Sequence, residues 1–371
     1  MTSHNTNPDP SRENIEGIDD AATGRGEGAL ELQAAEGKSQ GQIVRERFFR
    51  HRGAMTAMIV LALIVLLGFS SVGFWFVPGW WEWAPGQRPD PDLHGYRIFN
   101  DGGAPTLSMP WSDEGFAIGP HPFGQDDIGR DMFAQVMRGI QTSIIVVVII
   151  GIVATFIGVL IGSVSGFFRG WIDQILMRLT DLIITLPTIA LGAVLGAIFG
   201  AADPVPLALA LGGFVWTGLS RLVRADFLTL REREFVDAAR VAGASNLRII
   251  LKHMLPNAMG VIIVSVTLTM SAAILLETSL SYLGFGITSP NVSLGWLISE
   301  YETAFATRPW LFWWPGMLIV AIALCVNLIG DGLRDAFDPR QRRIPSARKL
   351  AAAERKLARQ RVARAPVAPG R

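Results

Sequence analysis

Six long apolar runs constrain this chain more than any other feature of its sequence. A hydrocarbon core about 30 Å thick takes about 20 mostly apolar residues in a helix to cross it. Spans are expected at Met55–Val77, Ser143–Val164, Leu179–Phe199, Val205–Leu222, Ala258–Leu280 and Leu311–Leu328. Half of the 371 residues are hydrophobic and only 18% are charged, a balance that suits a polytopic membrane protein better than a soluble domain. The fold class that follows is an all-α polytopic membrane protein with six transmembrane helices.

Net charge is +1 and excludes nothing, but its placement is informative. "RERFFRHR" before the first run and "RDAFDPRQRRIPSARKL" after the last are both basic, which predicts that both chain ends face the cytosol. With six spans, residues 223–257 then face the cytosol too, and they carry Arg224, Arg231, Arg233, Arg240, Arg248 and Lys252. The opposite 281–310 loop carries only Arg308. The first apolar run follows a long polar leader without a small-residue cleavage pattern, so it reads as a retained signal anchor. Cys325, the single cysteine, lies in the last run and excludes an intrachain disulfide.

Five segments are expected. Residues 1–44 form a disordered leader, and 45–77 a basic flank with the first span. Residues 78–142 form an extracytoplasmic segment that opens on the aromatic cluster "FWFVPGWWEW". It closes on an amphipathic helix marked by Ile128, Met132, Phe133, Val136, Met137 and Ile140, expected on the outer surface, with a core helix as the alternative that the same stripe fits. Residues 143–330 form a five-helix core, and 331–371 a basic tail near anionic lipid. Glycines recur at every fourth position, at Gly158, Gly162 and Gly166 and again at Gly192, Gly196 and Gly200. Such faces let helix backbones approach closely, within the subunit or against a partner.

Catalytic patterns are missing. Gly37-Lys38-Ser39 sits in the leader with Leu32 where a phosphate loop needs its first glycine, and no strand precedes it. His4, His51, His94, His121 and His253 have no metal-ligand spacing, and neither Gly-x-Ser-x-Gly nor His-Glu-x-x-His occurs. Within the spans, Asp181 follows Arg178 by one turn and suggests a local pair. Glu277 is expected either to hydrogen-bond a neighbouring helix or to line a translocation path. So few buried acids argue against a proton-coupled carrier, and no residues support an enzyme.

Residues 231–257 predict a helix, a turn and a second helix. Ala238 and Ala239 give the first helix a small face, with Glu234, Asp237 and Arg240 at its polar edges. Gly243 stands where a helix terminus favours a left-handed residue, with Ala244 after it, and Ser245 is placed to cap the next helix. Pro256, after Leu255, is expected to stop that helix and begin the fifth span.

The pattern Asp237-Ala-Ala-x-x-x-Gly243, followed by Leu255-Pro256, resembles the coupling loop of binding-protein-dependent ABC importer permeases. The usual form is Glu-Ala-Ala-x3-Gly-x9-Ile-x-Leu-Pro, from which Asp237 and His253 depart. "AARVAGASNLRIILKHMLPN" is similar to the variant of the dipeptide/oligopeptide/nickel permeases. "HPFGQDDIGRDMFAQVMRG", "DQILMRLTDLIITLP", "ETSLSYLGFGI" and "DGLRDAFDPR" resemble further segments of their C-type subunit. The resemblance implies a type I ABC importer transmembrane domain in a bacterial cytoplasmic (inner) membrane, with no cofactor and no nucleic-acid partner. It implies a heterodimer with a second permease subunit, two ATP-binding subunits docked on the coupling loop, an extracytoplasmic solute-binding protein and a peptide substrate. Nickel or a peptide antibiotic is the alternative cargo, and an ATP-independent secondary transporter the alternative class.

Overall fold

The computed structural model describes residues 40–86, 102–108, 115–199 and 203–337. The expected leader up to residue 39, the tail beyond 337 and Gly200 lie outside the described residues. A basic helix α1 (Gln40–Arg50) begins inside the segment expected to be disordered and leads into α2 (Arg52–Ser71). His51 separates them and caps α2, its Nδ1 accepting the Ala54 N–H at 3.0 Å. The first span ends earlier than the apolar run suggested. Gly73, at φ +72°, turns the chain so tightly that a Cβ there would meet the backbone of Val77 and Gly79. The Trp81 N–H then closes the turn on the Ser71 carbonyl at 2.8 Å.

A two-stranded ribbon, β1 (Leu107–Ser108) with β2 (Ala117–Ile118), precedes the long helix α3 (Met132–Phe168). That helix corrects the expectation of a separate surface helix. Met132, Phe133, Val136, Met137 and Ile140 lie in its first turns, are fully or nearly buried and belong to the main core, while Ile128 stays exposed outside it. An amphipathic stripe reads alike for a membrane surface and a protein core, and here the core takes it.

The third and fourth runs are each broken. Helices α4 (Gly170–Ile184) and α5 (Thr188–Phe199) meet at 82°, and α6 (Pro204–Val215) and α7 (Thr217–Leu230) at 42°. Pro187 explains the first break, because it disfavours the helical region for Leu186 and offers no N–H of its own. Next come α8 (Glu234–Val241), the single turn α9 (Asn246–Arg248), a π-helical turn (Ile249–Met254), α10 (Leu255–Tyr282), α11 (Leu294–Glu300) and, after a 3₁₀ turn (Glu302–Ala306), α12 (Trp310–Phe337). Among the described residues four helical stretches are long and apolar enough to cross a membrane, and the two bent pairs bring the number to six.

Contacts fix which ends lie together. His51 approaches Asp335 at 3.5 Å, and Phe337 packs against Gly260. Residues near 51, 260 and 337 therefore share one end of the bundle with the C-terminus of α7. The starts of α3 and α12 share the other end, where a Cβ on Gly124 would meet the Trp310 ring at 2.7 Å.

The glycine faces pack inside the subunit. On α3, Cβ atoms at Gly158, Gly162 and Gly166 would meet Leu219, the Ser220 carbonyl and Phe227 of α7. On α5, Gly192 faces Leu280 of α10, and Gly196 abuts the Phe285 carbonyl just beyond it. Asp181 likewise takes a tertiary partner. Its carboxylate meets Arg221 of α7 at 2.5 Å in place of the expected pair with Arg178. One turn further along α7, Arg224 grips Asp173 of α4 through Nε and NH2 at 2.6 and 2.7 Å.

Candidate functional site

Two features stand out, an elbow at one end of the bundle and a buried carboxylate near the other. The elbow is α8, its turn and the start of the long helix that follows. A Schellman motif ends α8: the Gly243 N–H donates to the Arg240 carbonyl at 2.9 Å and the Ala244 N–H to the Ala239 carbonyl at 3.0 Å. Gly243 supplies the left-handed φ of +79° that this closure needs. Ser245 then caps the next helix by accepting the Arg248 N–H at 3.4 Å. Asp237 and Arg240 pair at 3.0 Å on the exposed side, where such a pair adds little stability.

Pro256 stands in the first turn of α10 and so begins the fifth span as expected, but the helix before it does not stop there. The chain stays helical from Asn246 to Tyr282, and a π-helical turn lies just ahead of the proline. There the Leu255 N–H donates to the Ile250 carbonyl, five residues back. The wider turn accommodates the missing N–H and the ring, so the helix passes through instead of stopping.

The elbow has its own core. Val236, Ala239, Ile249, Ile250 and Met254 pack with Phe167 of α3 and Leu219, Val223 and Phe227 of α7. Ala239 is thus only 9% exposed and faces inward, while Ala238 faces out. The two alanines were expected to form one face open to another surface; helical geometry points neighbours in different directions and splits them. Glu234, Asp237, Arg240, Gly243, Ser245 and Pro256 are exposed, and Ala244 and Leu255 half-buried. Sequence reasoning missed the apolar residues on the same exposed side. Val241 is 91% exposed and Leu247 66%, with Phe235 and Leu251 also open to the outside. These apolar side chains stand exposed among charged ones on the turn.

Glu277 lies near the opposite end of the same helix and is 0% exposed. Ser143 of α3 donates to Oε2 at 3.3 Å, and Ser281 donates to Oε1 at 2.9 Å. Of the two roles expected for it, the geometry supplies the link to a neighbouring helix. An apolar cavity of about 170 Å³ lies where the two bent pairs meet, lined by residues that include Ile184, Leu186, Thr188, Val215, Thr217 and Leu276; Glu277 is not among them.

Comparison with known proteins assigns the chain to a family. The family model described as binding-protein-dependent transport system inner membrane component matches residues 158–343, half of the chain. The chain belongs to that family. Residues 39–86 match a second model, the N-terminal TM domain of oligopeptide transport permease C. The oligopeptide transport system permease protein OppC of Mycobacterium tuberculosis is 36% identical over 305 residues, covering 82% of this chain and 96% of that protein. OppC of Haemophilus influenzae is 33% identical over 342 residues, covering 92% and 100%. Among solved structures, the inward-facing MetNI methionine ABC transporter aligns with 56% of this chain and 98% of its own, at a TM-score of 0.47 and 16% identity.

In this permease the quoted segment "HPFGQDDIGRDMF" is a lock at the end of the bundle away from the elbow. Asp131 caps α3 by accepting the Ala134 N–H at 2.8 Å, and it also holds His121 Nδ1 at 2.8 Å and Trp81 Nε1 at 2.9 Å. Asp126 accepts the backbone N–H of Arg130 at 2.8 Å, its side-chain Nε at 2.6 Å and the Tyr301 hydroxyl at 3.0 Å. Gln135 completes the set by donating to the Tyr301 oxygen at 3.1 Å. Burial first, and the adjacent Asp126 carboxylate second, push the Tyr301 hydroxyl well above the ordinary tyrosine range, so it remains a neutral donor. No group of three or more metal-ligating side chains occurs among the described residues.

Proposed function

We propose that the permease is the membrane-spanning subunit of an ATP-driven importer of di- and oligopeptides, with the elbow as the docking point for separate ATP-binding subunits. The observation that carries the coupling part is the elbow itself. It is a rigid turn with its own core, a Schellman closure and an exposed apolar Val241 and Leu247, continuous with a helix that runs through the bundle. Peptide as cargo is supported by the names of the relatives, oligopeptide permeases over most of the chain. The elbow faces the cytosol in this reading, and both chain ends share its side, as six alternating crossings require. A second permease subunit, two ATP-binding subunits and an extracytoplasmic solute-binding protein complete the complex. The coupling residues are Glu234, Asp237, Ala238, Arg240 and Gly243, joined by Val241 and Leu247; Ala239, Ser245 and Pro256 hold the elbow in shape.

Purifying the tagged chain from membranes in mild detergent tests this. Recovery of a second permease, ATPases and a solute-binding protein that retains peptides is the expected result. Recovery of the chain alone, with transport surviving in ATP-free vesicles, would overturn it in favour of a secondary transporter.

Gly243 offers a graded test. No atom of this chain lies within 4 Å of a Cβ built there, so the effect of substitution on the subunit itself is conformational. Gly243→Asp places a side chain that tolerates the left-handed region and is expected to cost about 1 kcal/mol of elbow stability, a several-fold loss of transport. Gly243→Val adds a β-branch to the same φ and is expected to cost about twice that. Limited proteolysis at residues 241–247 alongside the transport assay checks the order, and equal transport in both variants would contradict it.

A further inference from the structure

The helix carrying the elbow runs unbroken for 37 residues, from Asn246 to Tyr282, and spans about 55 Å at 1.5 Å per residue. Its far end carries Glu277. Beyond it the chain folds back as a cap, residues 284–300, that ends in α11. Three serines surround the Glu277 carboxylate, and each also accepts a backbone N–H from the cap. Ser143 accepts that of Leu294 at 3.2 Å, Ser281 that of Ile287 at 3.1 Å, and Ser293 that of Trp296 at 3.1 Å. The Ser293 hydroxyl donates to Ser281 Oγ at 3.5 Å, which links it to the carboxylate through Ser281.

The chemistry of that arrangement is specific. Both Glu277 oxygens accept hydrogen bonds here, whereas a hydroxyl donates one and accepts others. Directing the serine hydrogens toward Glu277 leaves their lone pairs for the cap amides, so one side chain orients several bonds that seat the cap. The seat is close: a Cβ on Gly139 of α3 would lie 3.1 Å from the Leu294 nitrogen, and one on Gly295 would lie 2.7 Å from the Thr278 Cα. A helix this continuous carries a displacement of one end to the other, provided that the far end grips what it must move.

We propose that Glu277 is a positioning residue for transport: it ties the 284–300 cap to α3 and to the far end of the elbow helix, so that movement of the elbow moves the cap. The proposal rests on the importer reading for its direction of drive. Loosening the clamp leaves ATP docking and hydrolysis intact and disconnects them from passage of the substrate.

The test uses the whole complex with its binding protein in proteoliposomes, measuring ATP hydrolysis and uptake of a mixture of synthetic tri- to pentapeptides. In Glu277→Ala, hydrolysis is expected to persist while uptake per ATP falls about tenfold, the cost of leaving buried hydroxyls and amides without an ordered acceptor. Glu277→Gln keeps a carbonyl acceptor and is expected to recover most of the uptake; Ser293→Ala is expected to fall between them. Hydrogen exchange gives a second readout, with faster exchange expected at Ile287, Leu294 and Trp296 in Glu277→Ala and no change at the elbow. Unchanged uptake per ATP, unchanged exchange at the cap, or a parallel loss of assembly and hydrolysis that Gln does not rescue would each overturn the proposal. A wild-type complex without ATP-driven uptake would instead overturn the importer reading, and the exchange data would still decide whether the clamp exists.

Discussion

Val241→Asp is expected to release the ATP-binding subunits from the permease while leaving the permease folded. Val241 is 91% exposed and has no part in either hydrophobic cluster, so a charge there costs the isolated subunit almost nothing. In a docked complex the same side chain would be enclosed, and an unpaired carboxylate in its place would be desolvated without a partner. Interface positions of this type cost about 2 kcal/mol or more when altered, which corresponds to roughly 30-fold weaker binding. Leu247→Asp, on the neighbouring exposed surface, is expected to act in the same sense with a smaller effect. Co-purification of the ATPases, together with the thermal stability of the detergent-solubilised chain, separates the two contributions. Retained ATPases and full transport in both variants would place the docking surface elsewhere.

Gly162→Val is the second large effect, and it falls on the fold. A Cβ at this position would sit 2.5 Å from the Ser220 carbonyl oxygen and 2.8 Å from the Val223 Cβ. Backbone cannot rotate aside as a flexible side chain can, so α3 and α7 would have to separate along their seam. Arg224, which holds Asp173 of α4, and the elbow core both lie along that seam. Overpacking a tight contact costs about 1–3 kcal/mol, and here the cost belongs at the top of that range or above. The variant is expected to lose most of its folded yield, read as a lowered melting temperature of a fluorescent fusion in detergent. Gly213→Ala is the control, because nothing lies within 4 Å of a Cβ there. Equal stability of the two variants would show that the close approach has no energetic weight.

Much of this architecture was legible without coordinates, for a physical reason. Lipid accepts only long apolar helices, so the runs near residues 55–77, 143–164, 258–280 and 311–328 announce themselves by length. Local chemistry was equally readable at the elbow. Gly243 and Ser245 occupy the positions that helix ends demand, and those demands involve only a few neighbouring residues. The motif around Asp237 and Leu255-Pro256 pointed to the family that the comparisons then confirmed.

Where two outcomes share one local pattern, only the tertiary structure decided. The stripe from Met132 to Ile140 suits a membrane surface or a protein core equally, and burial against α11, α12 and the aromatic turn chose the core. Asp181 had a sequence neighbour in Arg178 but found Arg221, because α4 and α7 lie side by side. Ala238 and Ala239 looked equivalent until the helix turned one inward and one outward. Val241 carries no signal in an apolar-rich sequence; its meaning comes from standing exposed on a turn whose core lies beneath it. Composition, length and capping thus fixed that the chain crosses a membrane and bends at the elbow. Which faces meet, and which apolar side chains remain for a partner, depend on contacts between residues far apart in sequence, and only the folded bundle brings those together.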